Sequence, residues 1–290
     1  MEKKLKKISK KINLYLNNYL SKFNSSDLVV PMKYGLFPGG KKIRSKIIFD
    51  IGKMFKVKNK NLLFLAASVE AIHAYSLIHD DLPCMDNDSI RRGKPSTHIK
   101  FGESTAVLAG NSLLTMAFEI LSHKDLNASE KTKIRLINKI SESSGHLGIA
   151  GGQYLDLSYE HKKISKKKII EMEIKKTGKL FSFCCAAPLI LKNKSKKDIQ
   201  NFENIGADIG LLFQVADDLI DYNGNLLAAG KKTGKDKKKG KATLISLLGY
   251  KNTIKYANKL ILKINTKLKK YEPKSNNLSD TLNYILNRNK

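Results

Sequence analysis

Apolar residues recur at three- and four-residue spacing through segments 8–20, 42–55, 61–82, 104–121, 130–149, 168–191, 198–222 and 243–270 of the 290-residue chain. That period predicts helices with an apolar face, and no sustained alternation marks a strand. Clusters of turn-forming residues predict breaks at 31–40, 86–94, 122–129, 158–165, 192–197 and 224–240. The connections are short, no shift in composition marks a linker, and no solenoid repeat appears. The pattern therefore predicts an all-α chain, residues 1–290 forming a single domain with its helices around a central cavity. The longest apolar run, 62–78, contains Glu70 and His73 and ends at Asp80. It reads as too polar for a bilayer span, so no stable membrane insertion is expected.

Two acidic clusters end or interrupt these runs: Asp80-Asp81-Leu82-Pro83-Cys84-Met85-Asp86 and Asp217-Asp218-Leu219-Ile220-Asp221. Carboxylates this crowded repel one another unless a cation lies among them. Mg²⁺ suits the role, because it takes oxygen ligands and bridges to phosphate oxygens. In the second cluster Asp217 and Asp221 share a helix face, and Gln214, three and four residues upstream of Asp217 and Asp218, points to the same region. The apolar residues interleaved there argue against a merely solvated acidic face, since unpaired buried carboxylates are costly. In the first cluster, Asp80 and Asp86 do not align on an ideal helix. Pro83 predicts a kink or helix end that brings Asp80, Asp81 and Asp86 round one ion. Acidic residues at a helix C-terminus also oppose its dipole, which favours a bound cation over a plain polar end.

The formal net charge is +28, yet only five of the 54 basic residues are arginine: Arg44, Arg91, Arg92, Arg135 and Arg288. The excess of Lys, Asn and Ile fits a coding bias toward AAA, AAT and ATT codons, which discounts the charge as a signal. No nucleic-acid motif accompanies it, so no nucleic-acid partner is expected. Against this lysine background, Arg44, Arg91 and Arg92 stand in motif-like segments, and arginine grips phosphate as a planar fork. Gly39-Gly40-Lys41-Lys42-Ile43-Arg44 lets backbone and helix N-terminus approach an anion. Arg91-Arg92-Gly93 follows the first acidic cluster. His73 alone reads as a core histidine. The lysine-rich stretch 230–243 misses nucleotide P-loop spacing and reads as a solvated loop or a lid over a polyanion. Three cysteines, Cys84, Cys184 and Cys185, suggest a reducing, cytoplasmic setting. The basic N-terminal segment lacks arginine and contains Glu2, so a first surface helix is favoured over a transit peptide.

Taken in order, GGKKIR, IHAYSLIHDDLPCMDND, RRG, GGQYLDL, KTGKLF, FQVADDLID and GK…GK make the chain resemble the trans-isoprenyl diphosphate synthases, in particular the bacterial farnesyl diphosphate synthase (geranyltranstransferase) group. The resemblance runs from about Lys33 past the lysine loop. It implies an isoprenoid-synthase-type helical bundle, a Mg²⁺-dependent prenyltransferase and a homodimer. By position it implies that Lys41, Arg44, His73 and Arg92 hold the diphosphate of isopentenyl diphosphate. Asp80 and Asp86, with Asp81 nearby, would bind Mg²⁺, and Asp217 would complete the metal set beside Asp218. Arg91, Lys176, Thr177, Gln214, Lys231 and Lys241 would serve the allylic diphosphate. Lys42 stands where arginine is common and Ala242 where serine is common, departures that touch lid details.

Tyr75 lies five residues before Asp80, roughly 7.5 Å along a helix axis. The resemblance pairs an aromatic there, with the two-residue insertion in the first acidic motif, with a fifteen-carbon product. Tyr75 would bound chain growth and the small Ser76 would leave room for some. The expected reaction is condensation of isopentenyl diphosphate with dimethylallyl or geranyl diphosphate to farnesyl diphosphate. Products ending at geranyl or extending to geranylgeranyl diphosphate are the alternatives. A terpene cyclase would not need the 39–44 pocket and would carry a different second acidic site. A non-catalytic synthase subunit would lack a motif, and none is lacking.

Overall fold

The computed structural model describes residues 1–23, 25–37, 39–222 and 243–288. It divides into two compact units, Met1–Phe49 with Val57–Ile137, and Asp50–Lys56 with Asn138–Lys290.

The first unit contains α1 (Glu2–Leu20), α2 (Val29–Leu36), the start of α3 (Ile43–Met54), α4 (Asn59–Asp80), α5 (Thr97–Phe101), α6 (Glu103–Ser122) and the start of α7 (Glu130–Ser144). A hairpin, β1 (Ile90–Arg91) with β2 (Lys94–Pro95), sits between α4 and α5. α4 is buried on nearly every side: Leu62, Leu65, Ala66, Val69 and Ile72 are fully buried. A helix apolar all round belongs in a core. Its main partner α6 offers the small residues Ala106, Ala109, Gly110 and Ala117, and the Ser68 hydroxyl donates to the Ala117 carbonyl at 2.8 Å. Against the expectation from composition, α4 passes the length and hydropathy criterion for a span (mean hydropathy 1.4), but 78% of that window is buried inside the protein. α6 passes the same criterion with 44% of its window buried.

The second unit contains α8 (Ile149–Ser158), α9 (Lys166–Glu173), a π-helical turn (Ile174–Gly178), α10 (Lys179–Leu191), α11 (Lys196–Tyr222), α12 (Leu244–Leu248), α13 (Tyr250–Leu268) and α14 (Asn276–Asn287). α10 and α11 lie unusually close. A side chain on Gly206 or Gly210 of α11 would come within 3.0 Å of the backbone of residues 178–182.

Several boundaries depart from the periodicity. The predicted break at 31–40 holds α2 instead, with Pro31 in its first turn, where the missing N–H has no helical acceptor to lose. The predicted continuous helix over 168–191 is interrupted by the π-turn. The 243–270 run breaks at Gly249, whose φ is +74°. The hairpin falls at the predicted 86–94 break, with Arg92 and Gly93 both at positive φ in its two-residue turn. α8 carries little clean periodicity, whereas α14, with Leu278, Leu282 and Ile285 at helical spacing, is a further helix outside the predicted segments.

Candidate active site

In the first unit, the glycine-rich segment meets His73 through Arg44 and the hairpin turn through Arg92. Arg44 opens α3, and its Nη1 donates to His73 Nε2 at 3.4 Å. Arg92, in the hairpin turn, donates to the Gly39 carbonyl. Gly40 adopts φ +112°, which favours glycine, and a side chain there would lie 2.7 Å from the Arg92 guanidinium and displace it. His73 is held well below the ordinary histidine range, first by burial and then by the charges of Arg44, Arg92, Lys42 and Arg91. The imidazole is therefore neutral and able to accept, inside a concentration of positive charge. Lys41 is half-buried just upstream of α3. Lys42 turns inward: its Nζ lies 3.0 Å from Glu70, with side-chain exposure of 6% and 3% for the pair. Lysine at the position where arginine is common thus serves a buried ion pair.

α4 ends at Asp80, and Pro83 lies beyond it, so the first acidic motif is a helix end and not a kink. The chain folds back so that the Asp86 amide donates to the Asp80 carbonyl at 2.8 Å and the Asp88 amide to the Asp81 carbonyl at 3.1 Å. Asp81 is buried and accepts from both Nε (3.0 Å) and Nη2 of Arg91; Asp88 lies 3.5 Å from the same guanidinium. Burial raises the Asp81 carboxyl above its ordinary value, and the charges of Asp88 and Asp86 add to the rise while Arg91 opposes it. Arg91 is in turn held above its ordinary value; its burial works against this, but the Asp81 hydrogen bond and charge outweigh it. The backbone thus gathers the motif. Among the described residues, however, no three His, Cys, Asp or Glu side chains converge closely enough to hold a metal ion. The donor chemistry fits Mg²⁺ all the same: hard carboxylate oxygens gathered within one chain reversal. Tyr75 is half-buried on α4, and the Ser76 hydroxyl donates to the His73 carbonyl at 3.0 Å.

In the second unit, the π-turn presents Lys176 and Thr177; such single-turn widenings recur at functional sites. Lys176 Nζ lies 2.5 Å from Asp156 on α8, and a side chain on Gly152 would come within 3.0 Å of the Lys176 backbone. The Thr177 hydroxyl donates to Gln214 Oε1 at 3.3 Å, and Gln214 Nε2 donates to Asp218 Oδ1 at 3.1 Å. Asp218 is buried, whereas the Asp217 side chain is 46% exposed. Asp217 accepts from Arg288 Nη2 at 2.6 Å; the same nitrogen donates to the Phe213 carbonyl, and the guanidinium stacks 3.9 Å from the Phe213 ring. Lys231 and Lys241, with nearly all of the lysine loop, lie outside the described residues.

Three residues here carried no role in the sequence reading. Arg288 was visible only as a scattered arginine. Asp156 and Gln153 sat inside GGQYLDL. Gln153 is 6% exposed and its two amide atoms have no partner among the described residues, an uncommon state for a buried amide.

Residues 26–282 match the family described as polyprenyl synthetase. Farnesyl diphosphate synthase of Escherichia coli (strain K12) is 38% identical over 288 residues, covering 97% of this chain and 96% of the relative. A solved apo structure of an FPP/GFPP synthase from Zymomonas mobilis superposes with a TM-score of 0.86 at 33% identity, covering 98% of this chain and 100% of that one. A geranyltransferase from Helicobacter pylori, complexed with magnesium and isoprenyl diphosphate, superposes with a TM-score of 0.81 at 29% identity, covering 99% and 96%. The fold is the all-α isoprenoid-synthase type.

Proposed function

Because the chain belongs to the polyprenyl synthetase family, we propose that it is a prenyltransferase that condenses isopentenyl diphosphate with dimethylallyl and then geranyl diphosphate, releasing farnesyl diphosphate. The observation that carries this reading is the meeting of the 39–44 segment with His73, which Arg44 contacts, and with Arg92, which donates to the Gly39 carbonyl. That is a pocket for a second diphosphate, which a cyclase has no use for.

In this reading Lys41, Arg44 and Arg92 grip the isopentenyl diphosphate, the arginines as planar forks. His73 adds a neutral ring that is not repelled by its cationic neighbours. Asp80, Asp86 and Asp217 are the residues that would hold Mg²⁺, with Asp81 and Asp218 as neighbours fixing local charge. Bound there, Mg²⁺ would act as a Lewis acid on the diphosphate leaving group. Arg91, Lys176, Lys231 and Lys241 place positive charge where negative charge develops as the allylic carbon–oxygen bond breaks. The Thr177 hydroxyl and Gln214 amide present oxygen dipoles suited to the allylic cation. The double bond of isopentenyl diphosphate, held close, then forms the new carbon–carbon bond, and the released diphosphate takes the surplus proton. Water has to be kept out, or it captures the cation. Tyr75 bounds chain growth and Ser76 leaves it some depth. The same family reading carries a homodimer in the cytoplasm, with α4 as a core helix and no bilayer span.

The experiment offers isopentenyl diphosphate and dimethylallyl diphosphate with Mg²⁺ and sizes the products. A fifteen-carbon diphosphate is expected. Consumption of the allylic primer at the same rate without isopentenyl diphosphate would contradict the reading in favour of a cyclase.

A further inference from the structure

Tyr75 does not stand alone on α4. One turn further along the same face, the His79 ring meets it edge-on, with centroids 5.2 Å apart and planes at 85°. His79 is itself fixed from the other side. Its Nε2 lies 3.1 Å from the Val107 carbonyl of α6. On the same helix, Gly110 leaves the space that the imidazole fills: a side chain at Gly110 would come within 3.0 Å of Nε2 and Cδ2 of His79. An imidazole set against the Val107 carbonyl and pressed into a glycine notch has little room to rotate away, so the tyrosine ring packed at right angles to it is held in one rotamer.

We propose that His79 is a positioning residue for product length: seated between Gly110 and the Val107 carbonyl, it holds Tyr75 across the path of the growing chain. This rests on the reading of Tyr75 as the bound on chain growth. It assigns to α6, which carries none of the acidic or basic motifs, a part in product choice. Removing the imidazole gives the Tyr75 ring vacant space beside Gly110 to swing into, and the path deepens by that much.

The test sizes products from isopentenyl and dimethylallyl diphosphates for the natural chain, Tyr75→Ala, His79→Ala and the double variant, each checked for folding by thermal melting. His79→Ala is expected to raise the ratio of twenty- to fifteen-carbon product about fivefold, the factor that an edge-on ring pair is worth. The double variant should match Tyr75→Ala alone, because His79 acts through that ring. His79→Phe keeps a ring in the notch and should restore the fifteen-carbon product, a result that a general loss of packing would not give. The proposal is overturned if Tyr75→Ala lengthens the products while His79→Ala does not. It is equally overturned if the two effects simply add, or if His79→Phe lengthens products as much as His79→Ala. A natural chain that makes no prenyl product at all defeats the parent reading itself.

Discussion

Glu70 is a carboxylate with 3% exposure in the middle of an apolar helix. Burial alone would raise its protonation point, but the Lys42 charge 3.0 Å away and the Ser45 hydroxyl at 2.5 Å outweigh it, and the group is held below its ordinary value. A depressed carboxylate stabilises the fold at pH values above its unfolded pKa, and that contribution is lost as pH falls through the lower folded value. Glu70→Ala leaves the Lys42 ammonium buried without its partner and should cost about 3–5 kcal/mol in urea unfolding at neutral pH. Glu70→Gln should flatten the acid limb of the stability curve below about pH 4.5. In the sequence, Glu70 showed only as a polar interruption and Lys42 as a departure from a motif, because nothing local reveals that residues 28 positions apart neutralise each other. Arg288 was illegible for the same reason: its carboxylate partner lies 71 positions upstream. The acidic motifs were legible because like charges inside apolar helical runs conflict with burial on their own terms.

At the scale of elements, the π-turn bearing Lys176 and Thr177 is held by the close approach of α11. Gly210 faces the Gly178 backbone so closely that an added side chain would come within 3.0 Å of it. Gly210→Val should push that turn away, costing about 1–3 kcal/mol by overpacking. Because the turn carries the Lys176–Asp156 pair and the Thr177–Gln214 bond, the same variant should raise KM for the allylic substrate more than KM for isopentenyl diphosphate. Steady-state kinetics with each substrate varied in turn will measure this. Helix existence was legible here and helix interruption was not. The apolar positions of 168–191 stop at Ile174 and resume at Leu180, and a gap of five polar or glycine residues does not by itself tell a widened turn from a plain polar stretch of one helix. α2 was missed because Pro31 was weighed as a breaker, although in a first turn it removes no helical hydrogen bond.

For the whole molecule, the ordered set of motifs told more than any one of them. A glycine-rich basic segment, two acidic motifs and an arginine pair are each common. Their succession through one helical chain agrees with the family match over residues 26–282 and with the superposition on solved synthases. The +28 charge, by contrast, carried no site information, because lysine is spread through the chain. The central claim is that both acidic motifs serve ionisation of the allylic diphosphate. Its most direct test is the rate of farnesyl diphosphate formation, across a Mg²⁺ titration, for Asp86→Asn and Asp217→Asn. Each variant should be slower by about 10²–10³-fold, the usual loss when a charge-stabilising group is removed, and each should need more Mg²⁺ for half its maximal rate. A natural rate and a natural Mg²⁺ requirement in either variant would contradict the account.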